Sequence, residues 1–591
     1  MLTTRTKRAA LVLLLAITAW GFFYRLGAIP LLDDPNEAQY AEVAREIIES
    51  GDWLSPHLNY VPFLNKPPLA YWLIALADEA FGVNELAARL PSALAGMVIV
   101  ALLVWLGTQL FDAPTGLLAG LVLLATGGFF VETHEVRPDL LLTAGIVGSL
   151  VAVTHLLRLH DAAAPGDGAV SGTTKPEGRW ALLGLQGCLA AGLLAKGMLG
   201  VVVPLCVITL LVATERRSSN ALKLFHPKRW WPFVLLAAPW HLVAALRHPG
   251  FLQDYVVNQH LLFFFDQKIP HDSVPVPLSV FWGALALRLF PWTFCAPLAI
   301  VAAIRRARRA DAAGDRLLLA WAATVLLLFS AAPSRMEHYS IPAVPAFSLL
   351  IAKLFRDYAR GAGTVAPQAV SGHLLGFAVL ALAAPFVVPH LVAAQDWLTP
   401  VPELPALARE VFAFFAVAAG VAAAAALAGW RGPAPVVIAA AFVVAIPSIH
   451  HGLTLMARID SSAALVAGVR ELAANGSRVV YDAPVEYQTC AGLNFYLRRK
   501  LDLLSPPEFV PPRYLEPHRA ELFIDRGRFE QIWRNEPVVL ITGLAAARGD
   551  HDGRVPQPAY VVAHDYARQV LGNRPLVADV SAGAAASTGL P

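Results

Sequence analysis

Arg5-Thr6-Lys7-Arg8 runs directly into Ala9-Ala10-Leu11-Val12-Leu13-Leu14-Leu15-Ala16-Ile17-Thr18-Ala19-Trp20-Gly21-Phe22-Phe23 and then into Tyr24-Arg25-Leu26. A basic start followed by an apolar run suits a signal peptide or a membrane span. No small-residue cleavage site follows, so the stretch reads as a first transmembrane helix. A bilayer core takes about 20 apolar residues as helix. Runs of that kind recur around Ala95, Gly120, Gly145, Leu189, Leu205, Leu236, Leu287, Leu326, Leu349, Leu380, Val417 and Val443. The sequence therefore predicts about 13 transmembrane helices.

Composition agrees. Of the 591 residues, 57% are hydrophobic and 15% charged, with a mean hydropathy of +0.55, whereas a soluble domain carries about 25% charged residues. That excludes a soluble globular protein. The formal net charge is only +3, and the basic residues fall in short clusters between apolar runs, so no nucleic-acid partner is expected. Cys188, Cys206 and Cys295 lie inside apolar segments and Cys490 stands alone in a polar tail, which leaves neither a CxxC pair nor a disulfide framework.

Orientation follows from charge. With a cytoplasmic N-terminus, the inside loops include Glu215-Arg216-Arg217 through Lys228-Arg229, Arg305 to Arg309, and Lys353 to Arg360. These are the most basic loops, as the positive-inside rule requires. The opposite face receives the loop 27–86, the turn Val131 to Asp139, the segment 247–277 and the turn Pro333 to Tyr339. Nearly all the clustered carboxylates, histidines and asparagines outside the tail lie in these four pieces, so one face of the membrane holds the chemistry. An odd number of spans puts the tail on that face too.

The expected organisation is a transmembrane domain over 1–455 and a small soluble α/β domain over 456–591. In the tail, Asp460-Ser461-Ser462 suits a helix start for Ala463 to Ala474, Gly476 ends it, and Arg478 to Tyr481 and Pro537 to Thr542 read as strands. The low-complexity stretch Asp161 to Glu177 reads as a flexible cytoplasmic loop.

The first outer loop carries Asp33-Asp34-Pro35-Asn36-Glu37-Ala38-Gln39-Tyr40-Ala41-Glu42. Pro35 suits a first helical position, and Ala38, Ala41, Ile47 and Ile48 would form the apolar side of a helix lying along the membrane surface. Asp33 and Asp34 suit helix capping, and Glu37 suits the first turn. The same loop continues through Gly51-Asp52-Trp53 to Asn65-Lys66-Pro67-Pro68 and Tyr71-Trp72. There Lys66, fixed by two prolines beside interfacial aromatics, is placed either to snorkel or to meet a lipid phosphate. Lys196 interrupts an apolar hairpin, where a charge is costly and points to function.

The ordered set Asn36 to Glu42, Gly51-Asp52-Trp53-Leu54-Ser55-Pro56-His57, Lys66-Pro67-Pro68-Leu69-Ala70-Tyr71-Trp72, Arg137-Pro138-Asp139, Ala195-Lys196-Gly197, Phe290-Pro291-Trp292 and Tyr339-Ser340-Ile341-Pro342 resembles the GT-C glycosyltransferases. Within that class it is most similar to the lipid A aminoarabinose transferases and their protein O-mannosyltransferase relatives. The resemblance covers about residues 10 to 355. It implies an all-α polytopic membrane domain of the GT-C type with a C-terminal α/β domain in the periplasm.

It also implies site residues. The family's leading catalytic aspartate corresponds to Asn36 here, which cannot accept a proton, so the general base passes to Glu37 or, second, to Asp34. Tyr40 belongs to the same element. The second acidic position corresponds to Asp139, which can cap its helix or orient the acceptor. Phosphate contacts carry over to Lys66, Lys196 and Tyr339, with His260 a further match. The family arginine beyond that histidine falls at Phe263 or Phe264, with Arg335 as its replacement. The family's metal-linked glutamate corresponds to Asn65; a divalent metal is left open, with His57, His134, His260 and His338 as the nearby donors, and no other cofactor is implied.

The implied function is transfer of a sugar from a polyprenyl-phosphate donor to a hydroxyl or phosphate of lipid A, another glycan or a protein, by inverting displacement. The implied setting is a bacterial inner membrane with the active face periplasmic. The other reading of a polytopic chain is a transporter or lipid flippase, for which Arg288, inside the run Phe281 to Ile300, speaks.

Overall fold

Thr3 opens the first helix, Thr4–Phe23, by accepting a hydrogen bond from the Thr6 N–H at 3.1 Å. Asn84 and Asp112 do the same for Glu85–Leu110 and Ala113–Leu124, so side chains satisfy helix-end donors that the membrane cannot. The computed structural model describes residues 3–33, 37–161, 176–214, 229–271, 274–309, 312–474, 476–482, 487–504, 510–543, 555–565 and 568–574. The low-complexity stretch 161–177 lies almost wholly outside them.

Among the described residues nine helices are long and apolar enough to cross a membrane, or up to 11 if each of two bent pairs is one span. Two shorter apolar helices, Leu199–Thr214 and Trp231–Arg247, accompany them. Each centre named from the sequence falls on one of these helices, and the chain is a polytopic membrane protein. What hydropathy did not reveal is that two apolar helix pairs are sharply bent. Ala113–Leu124 and Gly127–Thr133 meet at 69°, and Leu278–Arg288 and Trp292–Ala307 meet at 113°.

A break frees backbone groups that hydrocarbon cannot satisfy, and the two breaks satisfy each other. Buried Trp292 donates from Nε1 to the Val122 and Ala125 carbonyls, each at 3.0 Å, and Gly127 N–H donates to the Phe290 carbonyl at 2.8 Å. Arg288, at the end of its half-helix, donates to the Glu337 carbonyl at 2.8 Å and lies 3.8 Å from Glu132. Its charge thus serves to tie the bend.

The chain separates into two compact units: Met1–Ala28 with Leu64–Leu453, and Ile29–Phe63 with Thr454–Pro591. The division differs from the one drawn on hydropathy, since residues 29–63 group with the tail and not with the spans. In this second unit the chain forms a hairpin of β1 (His57–Leu58) and β2 (Val61–Pro62). It also forms a six-stranded sheet of β3 (Arg478–Asp482), β4 (Asp502–Leu504), β5 (Phe523–Ile524), β6 (Val538–Gly543), β7 (Tyr560–His564) and β8 (Arg568–Gly572), in the order β5-β4-β3-β6-β8-β7. The first four neighbours are parallel, and β8 and β7 add antiparallel. Val480, Leu540 and Leu571 pack with Phe529 and Trp533 of the helix Arg526–Asn535 to make its core. The helix Ala463–Ala474 and strands β3 and β6 lie where the sequence predicts them.

The expected surface helix exists as Glu37–Ser50, but it is not simply amphipathic. All residues from Glu37 to Ile47 are buried, the polar ones included. Its charged side chains are matched locally instead of facing water. Arg45 grips Glu42 with two hydrogen bonds at 2.7 and 2.8 Å, and the Tyr60 N–H donates to Glu46 at 2.9 Å.

Candidate active site

In the membrane unit, the helices Pro176–Lys196 and Leu199–Thr214 form a hairpin whose turn is Gly197-Met198. The turn needs glycine: Gly197 has φ +76°, and a Cβ there would lie 2.3 Å from His260 Nε2. The His260 ring is held from both sides, its Nδ1–H donating to the Tyr255 carbonyl at 2.6 Å while Nε2 accepts from the Met198 N–H at 3.2 Å. Burial holds its pKa below the usual histidine value, in keeping with a neutral ring whose tautomer these two bonds set.

Beside this turn is a cavity of about 320 Å³ lined by Asn65, Lys66, Lys196, His260 and Tyr339, with Phe263, Phe264, Phe265 and Phe329. Thus the four residues matched to phosphate contacts, Lys66, Lys196, His260 and Tyr339, come together although the chain separates them widely. Lys196 Nζ donates to Asp139 Oδ1 at 2.5 Å and sits 5.0 Å from the centre of the Tyr339 ring. Asp139 begins the helix Asp139–Asp161 and is buried. It therefore acts on Lys196, a role that helix capping does not require. Lys66 Nζ lies 5.9 Å from the centre of the ring of Phe263, one of the two positions to which the resemblance assigned the family arginine. Arg335 is not among the lining residues; its guanidinium donates to the carbonyls of Phe329, Val276 and Ser330.

The loop unit holds the other candidates. Glu37 is the first residue of its helix, and its Oε2 accepts the Leu32 N–H at 2.9 Å, which folds the carboxylate back over the preceding turn. Tyr40 is buried in the same helix. Asp34 and Asn36 lie outside the described residues. Asp33, which the sequence offered only as a cap, instead pairs with Arg568 at 2.8 Å. No spacing rule could have found that partner, 535 residues away.

Among the described residues no three His, Cys, Asp or Glu side chains gather to hold a metal ion. The cavity presents two amides, Asn65 and Gln259, and one imidazole, His260, with no carboxylate or thiolate, which is not a metal donor set.

One group on the loop carries a pH signature. Burial, and then the Glu42 carboxylate beside it, push the Glu46 pKa up to about 9. The folded loop then keeps a proton that the unfolded chain releases above its ordinary carboxylate pKa. The stability of this unit should therefore fall as pH rises from about 4.5 to about 9. Glu46→Gln should flatten that dependence, measured as the difference in thermal midpoint between pH 6 and pH 9; an unchanged slope would refute the assignment.

The dolichyl-phosphate-mannose-protein mannosyltransferase family model matches residues 9–253. An undecaprenyl phosphate-alpha-4-amino-4-deoxy-L-arabinose arabinosyl transferase from Yersinia enterocolitica is 28% identical over 332 residues, 56% of this chain and 56% of the relative. The enzyme of the same description from Yersinia pestis is 28% identical over 331 residues. The match spans about half the length of these relatives. In fold, the crystal structure of ArnT from Cupriavidus metallidurans bound to undecaprenyl phosphate superposes with a TM-score of 0.76 at 20% identity, over 96% of this chain and 98% of that one. Its apo form gives 0.75 at 21% identity, over 95% and 98%. Over residues 9–253 the chain is thus similar in sequence to this mannosyltransferase family, and over nearly its whole length it has the fold of ArnT.

Proposed function

We propose that the protein transfers a sugar from a polyprenyl-phosphate carrier to an acceptor on the periplasmic face of a bacterial inner membrane. Its N-terminus is cytoplasmic and its tail domain periplasmic. The observation that carries this reading is the cavity in which Lys66, Lys196, His260 and Tyr339 meet a mostly aromatic and aliphatic lining. A polyprenyl phosphate is charged at one end and greasy at the other, and that lining suits both. The matched relatives are named for undecaprenyl phosphate-linked aminoarabinose, which makes that donor the first to test.

In the reaction an acceptor oxygen attacks the anomeric carbon while the bond from that carbon to the phosphate oxygen breaks. The carbon passes through an oxocarbenium-like state. Glu37 or Asp34 takes the acceptor proton. The leaving phosphate gains negative charge, and Lys66 and Lys196 stabilise it near a low-dielectric boundary where such contacts are strong. Asp139 keeps Lys196 oriented, with its ammonium aimed between the carboxylate and the Tyr339 ring. The donor stores the energy, so no nucleotide is consumed. A transporter reading loses its main support, because Arg288 is engaged at a helix break.

The test is a transfer assay in membranes with labelled polyprenyl-phosphate sugars. Glu37→Gln or Asp34→Asn, whichever residue is the base, and Lys66→Ala should each lower transfer by at least about tenfold. If all three variants transfer normally, the assignment of the site is wrong. The acceptor is to be read from mass spectrometry of lipid A and surface glycans of a deletion strain.

A further inference from the structure

We propose that Arg568, in the tail domain, is a positioning residue for the loop that carries Glu37, acting through Asp33. The inference rests on the reading of that loop as the source of the general base. Arg568 lies on β8 and is itself fixed: its Nε and its backbone N–H donate to Asp565, at 2.9 and 2.6 Å. Its remaining guanidinium arm reaches Asp33 Oδ2 at 2.8 Å, and Ser462 donates to Asp33 Oδ1 at 3.3 Å. The fit around Asp33 is close enough to require glycine at position 492, where a Cβ would stand 1.8 Å from Asp33 Oδ1.

Three successive backbone N–H groups of the loop are spoken for. Leu31 N–H donates to Tyr496 Oη at 2.8 Å, Leu32 N–H to Glu37 Oε2 at 2.9 Å, and Asp33 N–H to the Asp460 carbonyl at 2.7 Å. The Arg568–Asp33 pair therefore immobilises the residue next to the donor that holds the Glu37 carboxylate. Further along, Asn59 bonds both backbone groups of Leu501 and receives a hydrogen bond from Asn494, so removing Arg568 should release the start of the loop and leave its end attached. A charge-assisted contact of this kind is stronger than a neutral one. A catalytic carboxylate displaced by about 1 Å can lose about a hundredfold in rate.

The experiment uses the full-length protein in lipid nanodiscs. Arg568→Ala should lower kcat about tenfold or more. It should leave KM for the polyprenyl-phosphate sugar within about twofold, because the cationic cavity belongs to other residues. Arg568→Lys should recover part of the loss, because a lysine there keeps the charge that faces Asp33. In parallel, hydrogen exchange of the amides from Leu31 to Ala38 should speed up in Arg568→Ala and return part of the way in Arg568→Lys. Unchanged exchange in Arg568→Ala overturns the proposal, as does a kcat within twofold of wild type. So does a loss that appears equally in KM or that Arg568→Lys does not repair in part. If exchange responds as expected while Glu37→Gln and Asp34→Asn transfer normally, the clamp stands and the base assignment fails.

Discussion

Lys196→Met should lower sugar transfer by about a hundredfold to a thousandfold, the usual consequence of removing one preorganised donor from a developing oxyanion. Methionine keeps much of the length and the apolar stem while deleting the charge. Two effects are mixed in the single variant, because Lys196 and Asp139 are both largely buried and bonded at 2.5 Å. Leaving Asp139 ionised without its partner should cost about 3–5 kcal/mol of stability. The double variant Lys196→Met with Asp139→Asn removes that stranded charge, so the thermal midpoint should recover while transfer stays low. Recovery of transfer in the double variant would show that the ammonium is not needed at the phosphate.

Gly197→Ala should be nearly as damaging although it adds one methyl group. At φ +76° an alanine is strained by about 1–2 kcal/mol. The new carbon would also stand 2.3 Å from His260 Nε2, 3.0 Å from its Cε1 and 3.2 Å from the Tyr255 hydroxyl. The ring cannot swing aside cheaply, because the Tyr255 carbonyl and the Met198 N–H hold its two nitrogens. Either the hairpin turn or the histidine must move, and Lys196, the next residue, moves with it. The expected result is a loss of about a hundredfold in kcat/KM with a raised KM for the donor, read in the same transfer assay. His260→Ala in the Gly197→Ala background relieves the clash but not the backbone strain, so it should recover only part. Full activity in Gly197→Ala alone would mean that the turn is plastic.

Much of the cationic site was legible in the sequence. A lysine in an apolar hairpin and a lysine followed by two prolines at an interface are expensive placements, and the cost itself is the signal. That Lys66, Lys196, His260 and Tyr339 share one cavity follows from the packing of helices far apart in the chain. Arg335 had the right charge in the right loop, but charge does not say which carbonyls a guanidinium will meet. The bends in the two helix pairs were hidden for a related reason. Mean hydropathy over Ala113 to Thr133 and over Leu278 to Ala307 cannot register a bend whose freed carbonyls are satisfied by Trp292.

The sequence by itself determined that the chain crosses a membrane many times, that a helix begins near Glu37, and that the tail opens with the helix Ala463–Ala474 followed by a strand. These depend on hydropathy and on turn and cap chemistry, which act over a few residues. Only the tertiary structure decided that Asp33 belongs to Arg568, that residues 29–63 fold as one unit with 454–591, and that eleven consecutive residues from Glu37 to Ile47 are buried. A hydrogen bond between residues 535 positions apart leaves no periodicity or spacing in the chain. It exists because burial forces each charged group to find a partner, and the fold alone says which partner is within reach.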